Sequence, residues 1–373
     1  MTDLGEIVRA LGPEYIATRP TTPFQRKALT AIARCRTSAM PAKRAICSNC
    51  GVEHLQFRSC RNRNCPRCQS QARVAWLRAR ESELLDVPYF HVVFTVPEVL
   101  NTLALRCPEA FYHALFRAVT QALLDVGCSK LHARLGALLV LHTWGQNLAL
   151  HPHIHCVVPG GGLSPDGSQW IGVRKQSFFL PVDVLSKRFR SLLCDGIRRA
   201  WTRGQLRRSG ISGRDALEEL LGRACRTDWV VHVAPPFGGS KHVLAYLSSY
   251  THRIAISNRR IVHFDGKSVT FRWRDYADQS RPKLLTLDGH EFLRRFLLHV
   301  LPDRFVRIRY IGFLGNRHRA SNIALVRERI GQAPPEPRPK PEPIPILCPA
   351  CAAARYARIE PARAPPAELE LAS

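Results

Sequence analysis

The sequence contains no run of about 18 uncharged apolar residues, the length a membrane-spanning helix requires, so it reads as a protein without a transmembrane segment. Acidic charge is also scarce. Asp and Glu number 29 against 55 Lys and Arg, which leaves a net charge of +26 and an isoelectric point near 10.3. A field of that sign favours a polyanionic partner, and nucleic acid is the commonest one. The basic residues are spread along the whole chain and no long amphipathic basic helix stands out, which argues against a membrane-surface protein. The first residues, Met1-Thr-Asp-Leu-Gly-Glu6, lack the basic start and apolar run of a signal peptide, so the expected location is the cytoplasm. An even cysteine count is missing as well. There are thirteen cysteines, five of them between positions 47 and 68, and in a reducing compartment that clustering points to metal rather than disulfides.

The 373 residues, 45% of them hydrophobic, suffice for one large domain or two to three modest ones. Composition and motif spacing suggest a helical segment over 1–40, a zinc-binding module over 41–87, a larger α+β domain over 88–330 and a Pro/Ala/Arg-rich, disordered tail over 331–373. In the module, Cys47-Ser-Asn-Cys50 and Cys65-Pro-Arg-Cys68 stand fourteen residues apart. Two such knuckles present two thiolates each and can close a tetrahedron around structural Zn2+. Cys60 and His54 are further soft donors, so the ligand set within Cys47, Cys50, Cys60, Cys65 and Cys68 stays open. Arg58, Arg61, Arg63, Arg67 and Arg73 make the same region a cationic surface suited to DNA phosphates, or else a set of solvated side chains. Cys348-Pro-Ala-Cys351 in the tail is a lone knuckle, which offers only two donors, and no ligand role is placed on it.

Hydrophobic periodicity predicts helices over 3–11, 23–36 (starting at Thr22-Pro23), 69–86, 108–127, 183–205, 214–223 and 288–301. It predicts strands over 89–96, 136–145, 153–158 and 229–235, and a hairpin over 259–274 around Asp265-Gly266. Helices and strands are intermingled, with several strands joined by short loops. The pattern is that of an α+β fold with a mainly antiparallel sheet flanked by helices, plus a small N-terminal zinc-binding module.

The chemistry concentrates at His151-Pro-His-Ile-His-Cys-Val-Val-Pro-Gly-Gly-Gly162. On a strand, His151, His153 and His155 project to one side with neighbours about 7 Å apart, while Ile154, Cys156 and Val158 face a core. Two imidazoles so placed can grip one divalent metal. The glycines that follow allow close approach of a backbone or a ligand. A helix from Ser240 to about Ile256 carries Tyr246 and Tyr250 on one face, four residues apart. Those tyrosines are either core aromatics or nucleophiles able to attack a phosphodiester and hold DNA as a phosphotyrosine.

Three blocks taken together resemble a known family. They are the cysteine module ending Ser59-Cys-Arg-Asn-Arg-Asn-Cys-Pro-Arg-Cys68, the block Asn147-Leu-Ala-Leu-His-Pro-His-Ile-His155 with Gly160-Gly-Gly-Leu163, and Tyr246-Leu-Ser-Ser-Tyr-Thr-His-Arg-Ile-Ala-Ile-Ser-Asn-Arg-Arg260. Over about residues 20–320 the chain is similar to the two-tyrosine His-hydrophobic-His (HUH) transposases of rolling-circle insertion sequences. The resemblance implies an HUH-type endonuclease fold related to rolling-circle replication initiators and conjugative relaxases. It also implies single-strand DNA cleavage and strand transfer, with Tyr246 and Tyr250 as nucleophiles and His153 and His155 holding Mg2+ or Mn2+. Each cut would leave a 5′-phosphotyrosine and a 3′-OH able to prime the host replication machinery. For the third metal ligand that usually completes such a site, His151 lies on the same face and Gln146 and His142 are nearby in sequence; Gln146 and His151 are favoured. Two other functions fit parts of the chain: a histidine-triad nucleotide hydrolase, whose spacing His151 to His155 copies, and a zinc-dependent DNA-binding regulator without catalysis.

Overall fold

The computed structural model describes residues 2–173, 179–227, 229–237, 242–243, 246, 254–276, 278–335, 347–348, 350–352 and 356–362. The helices, in chain order, are α1 (Leu4–Thr18), α2 (Pro23–Arg34), α3 (Pro66–Glu81), α4 (Asn101–Arg106), α5 (Pro108–Leu131), α6 (Val182–Thr202), α7 (Arg214–Cys225), α8 (Gly289–Leu297) and α9 (Arg319–Ile330). The strands are β1 (Ala42–Cys47), β2 (Glu53–Phe57), β3 (Tyr89–Thr95), β4 (Gly136–Trp144), β5 (Leu150–Pro159), β6 (Gly161–Leu163) and β7 (Trp170–Gly172). They continue with β8 (Val231–Val233), β9 (Ile261–Phe264), β10 (Ser268–Asp275), β11 (Arg281–Asp288), β12 (Ile308–Gly312) and β13 (Tyr356–Ala362). The chain divides into two compact units, Met1–Ala72 with Ile254–Val300 and Glu336–Ser373, and Arg73–Arg253 with Leu301–Pro335. This division cuts across the linear segments expected from composition, because the first unit draws on the start, the middle and the end of the chain.

In the first unit, α1 begins where the Asp3 carboxylate accepts the Glu6 N–H and buries Leu4, Ile7, Val8, Leu11 and Tyr15 along one stripe. Helix α2 starts at Thr22-Pro23 as predicted. Thr22 and Gln25 exchange side-chain and backbone hydrogen bonds in a capping box, with Pro23 at the first helical position. The Asp265-Gly266 turn joins β9 to β10. The Asp265 carboxylate accepts the Lys267 and Ser268 N–H groups, and Gly266 takes the positive φ of +91° that the reversal requires. A third strand, β11, extends this hairpin. A separate three-stranded sheet has the order β13-β1-β2, all antiparallel. The structure differs here from the disordered tail expected after residue 331: β13 pairs along β1 from Ala42↔Ala362 to Cys47↔Tyr356. A Pro/Ala/Arg-rich segment cannot bury a core of its own, but it can add a strand to an existing sheet edge.

The second unit is built on a five-stranded sheet of order β12-β4-β5-β3-β8, in which every neighbouring pair is antiparallel. One face carries Phe90, Val92 and Phe94 of β3, Ala137, Leu139 and Leu141 of β4, and Ile154, Cys156 and Val158 of β5. These pack against the apolar stripes of α4 to α7, among them Leu103, Phe111, Phe116, Phe189, Leu193 and Leu217. The opposite face carries the alternate residues Tyr89, Leu138, Val140 and Val157, which join Leu163, Phe313, Ile323 and Val326 in a second core under α9. At Gly162 an added Cβ would lie 2.5 Å from the Arg134 carbonyl oxygen, so this glycine serves the close approach of two backbones, Arg134 and Leu163 bridging there. Among the described residues no helix is long and apolar enough to cross a membrane.

Because Ile154 is fully buried between β5 and the helical layer, Ile154→Ala is expected to destabilise the fold by about 2–5 kcal/mol. Equilibrium denaturant unfolding measures this; a change under about 0.5 kcal/mol would contradict the packing described.

Candidate metal and tyrosine site

The predicted histidine face exists, and the sheet pairing supplies more than β5 alone could. His153 and His155 project from β5 on the side opposite Ile154 and Cys156. On β4, His142 is paired directly with His153, and on β3, His91 stands diagonally across from His155, whose partner is Val93. His142 is 2% exposed and His155 8%. A donor atom from each of His142, His153 and His155 lies within 4.8 Å of the others. The third histidine in the group is therefore His142, whose ring also stacks on Trp144 at 4.5 Å. Of the two residues considered for that place, His151 is exposed and gives its backbone carbonyl to His153, while Gln146 sits half-buried in the turn between β4 and β5.

A hydrogen bond assigns one tautomer: His153 Nδ1–H donates to the His151 carbonyl at 2.6 Å, which leaves Nε2 with a lone pair. His155 Nδ1 lies 2.9 Å from His91 Nε2, and the Nε2 atoms of His153 and His155 face each other at 3.0 Å. With the His155 proton on Nδ1, the usual orientation of a metal-binding histidine, both Nε2 lone pairs would be open to one cation. Two nitrogens at adjacent corners of an octahedron of radius about 2.1 Å are about 3.0 Å apart, so the pair fits a Mg2+- or Mn2+-sized ion.

Tyr246 adjoins this pair. It is in helical conformation, packs on Phe237 and His91, and its hydroxyl donates to His91 Nε2, with His155 Nδ1 at 3.3 Å. Burial, reinforced by the nearby His232 and His153, lowers the His91 pKa to about 4, so the ring is neutral at pH 7 and accepts hydrogen bonds. Tyr250 lies outside the described residues. His91 was not singled out from sequence, although it sits on the outward period of the predicted strand 89–96; only the β3–β5 register brings it to His155.

The cysteines form two groups instead of one. Cys35, Cys60, Cys65 and Cys68 make the first, with sulfurs 3.6 Å apart in the pairs Cys35–Cys68, Cys60–Cys68 and Cys35–Cys65. Four thiolates at about 2.3 Å from a tetrahedral Zn2+ are separated by about 3.8 Å, so these spacings suit zinc. The Cys60 N–H points at Cys35 Sγ and the Asn62 N–H at Cys60 Sγ, both at 3.5 Å, which stabilises thiolate charge. Burial pushes the Cys35 thiol up to about 11, a penalty that a bound dication removes. The second group is Cys47 and Cys50 with Cys348 and Cys351. The two knuckles 47–50 and 65–68, expected to close on each other, thus belong to different groups. Cys35 was missed because it lies at the end of α2, with no knuckle spacing to mark it. Of the arginines read as a cationic surface, Arg58 and Arg61 are exposed, whereas Arg67 bonds the Asp3 carboxylate and the Cys35 carbonyl and is structural.

A histidine group on an antiparallel sheet, beside a tyrosine hydroxyl and accompanied by two cysteine tetrads, has the donor sets of a metal-binding protein. Residues 136–322 match the family described as "Putative transposase", and residues 7–96 match the "Transposase zinc-binding domain". The chain belongs to this transposase family, as the motif resemblance implied. It is 46% identical over 340 residues to the "Putative transposase y4qJ" of Sinorhizobium fredii, covering 89% of this chain and 85% of that protein. It is 28% identical over 330 residues to the "Transposase for insertion sequence element IS801" of Pseudomonas savastanoi pv. phaseolicola, covering 82% and 74%.

Since His91 holds His155 in its metal-facing orientation, His91→Ala is expected to weaken Mn2+ binding by about 10–100-fold. His142→Ala is expected to weaken it at least as much, and His151→Ala, which keeps the backbone carbonyl, by less than about threefold. Calorimetric titration of Mn2+ ranks the three; equal losses for His142 and His151 would remove His142 from the ligand set.

Proposed function

We propose that this transposase cleaves and transfers single-stranded DNA through a 5′-phosphotyrosine formed by Tyr246 and, in a second transfer, by Tyr250. The contact that carries this reading is the hydrogen bond from the Tyr246 hydroxyl to His91 Nε2, because His91 also orients His155 in the imidazole pair. Any half-buried tyrosine hydroxyl takes a hydrogen-bond partner; here that partner is an imidazole that also contacts His155. In the reaction, Tyr246 Oη attacks the phosphorus, the P–O3′ bond breaks and the 5′-phosphate becomes esterified to the tyrosine. His91, already the acceptor of the phenol hydrogen bond, takes the proton. The departing 3′ oxygen takes a proton from water and remains as a 3′-OH, and the hydroxide formed is neutralised as His91 gives up the phenol proton. His153, His155 and His142 would hold Mg2+ or Mn2+, which supplies charge stabilisation at the scissile phosphate.

Rejoining requires a 3′-OH to attack the phosphotyrosine, and a second tyrosine keeps one strand end covalently held while the other is exchanged. The 3′-OH left at a cut is a primer that the host replication machinery can extend, displacing the single strand to be transferred. The excess of 55 basic over 29 acidic residues supports binding to a DNA backbone, which is mainly electrostatic.

Labelled single-stranded DNA incubated with the protein and Mg2+ or Mn2+, then denatured, is expected to yield a covalent adduct. Tyr246→Phe or Tyr250→Phe should reduce or alter it and the double substitution should abolish it. His153→Ala with His155→Ala should abolish cleavage while leaving most DNA affinity intact. An adduct that persists in the double tyrosine variant sinks the assignment. DNA binding without any adduct would favour the regulator, and nucleotide cleavage without an adduct the histidine-triad hydrolase.

A further inference from the structure

The lone knuckle Cys348-Pro-Ala-Cys351 has a partner at the other end of the chain. Cys47 Sγ lies 3.7 Å from Cys351 Sγ and Cys50 Sγ lies 3.7 Å from Cys348 Sγ, with all four sulfurs within 4.8 Å of one another. That is the edge length of a tetrahedron of thiolates about 2.3 Å from a central zinc ion. It is far from the roughly 2.05 Å of a disulfide. Cys348 is 1% exposed although its surroundings in sequence are rich in proline and alanine.

The two knuckles also share a backbone conformation. Gly51, directly after Cys50, has φ +69° and donates its N–H to the Cys47 carbonyl at 2.9 Å. Ala352, directly after Cys351, has φ +58° and donates its N–H to the Cys348 carbonyl at 2.8 Å. Glycine adopts this left-handed turn without cost, but alanine does not, so something must hold Ala352 there. A tight turn that aims both thiols of a knuckle at one point is what a shared metal would hold. Just beyond, β13 adds its backbone to β1, and Cys47 at the end of β1 is the register partner of Tyr356. His54 Nε2, 3.7 Å from Cys348 Sγ, is placed to donate a hydrogen bond to that sulfur.

We propose that Cys47, Cys50, Cys348 and Cys351 form a second tetrathiolate zinc site, sharing no ligand with Cys35, Cys60, Cys65 and Cys68, that latches the C-terminal segment onto the N-terminal module as its third strand. The module is then assembled from both ends of the chain, and a chain that stops before Cys348 cannot complete it. Zinc at this site would tie β13 to β1 beside the backbone pairing they share. Each Zn2+ binds four thiolates and releases the protons the thiols carried, so occupancy falls in acid and under chelation.

The test uses the full chain stripped of zinc and titrated with Co2+, whose thiolate charge-transfer absorption reports cysteine sites and not the imidazole group. The wild-type protein is expected to saturate at two equivalents, and Cys348→Ser with Cys351→Ser at one. Cys60→Ser with Cys65→Ser should also saturate at one, through the other site, which separates loss of a site from general misfolding. Limited trypsin digestion gives a second readout: cleavage after Arg358 is expected to be slow in the zinc-loaded wild type and fast in the Cys348/Cys351 variant. Saturation of the wild type at one equivalent, or an unchanged stoichiometry in that variant, overturns the proposal. So does equal protection of Arg358 in both.

Discussion

The pleat of β5 is the constraint on which the second unit depends. Ile154, Cys156 and Val158 must lie on the helical core, and because successive strand residues face opposite ways, His153 and His155 are then committed to the other face. A register slip of one residue would bury both imidazoles among phenylalanines and expose the core. The cores on both faces of the sheet therefore hold the imidazoles in place. Neighbouring strands complete the arrangement through the same parity: His142 from β4 and His91 from β3 arrive on the histidine face because their own alternate residues, Leu141 and Val92, belong to the apolar one.

Within that face the histidines divide their work by ring nitrogen. The His151 carbonyl fixes the His153 proton on Nδ1, and the Nε2 atoms of His153 and His155 face each other at 3.0 Å. Tyr246 shares the His91 acceptor, so the tyrosine hydroxyl and the metal-facing pair are linked through a single imidazole. The cysteine groups do a different job. The first unit has short strands around residues 42–68, and cysteine tetrads with zinc-ligand spacing stand there in place of a broad apolar core.

The outline of all this was legible from particular residues. The Ile154/Cys156/Val158 alternation predicted a strand with a chemical face, Thr22-Pro23 a helix start and Asp265-Gly266 a turn; each depends on neighbours in sequence and on local stereochemistry. Cys348 and Cys351 were visible as a knuckle but without a partner, because C-x-x-C spacing reports a local turn and not which other turn faces it. Cys35 carried no spacing signal at all. Arg67 looked like any other arginine of a basic surface until its contacts with Asp3 and the Cys35 carbonyl placed it inside the module.

Sequence by itself determined the chemical inventory: a basic chain, thiol knuckles, a His-hydrophobic-His strand, paired tyrosines and an antiparallel α+β fold. Those properties are encoded within a few residues of one another, where propensity and periodicity act. Tertiary structure alone decided the partnerships, namely the donor atom of His142 grouped with those of His153 and His155, His91 against Tyr246, and two cysteine tetrads in place of one. Such partnerships join residues tens to hundreds of positions apart, and their geometry comes from strand register and core packing, which no local pattern contains.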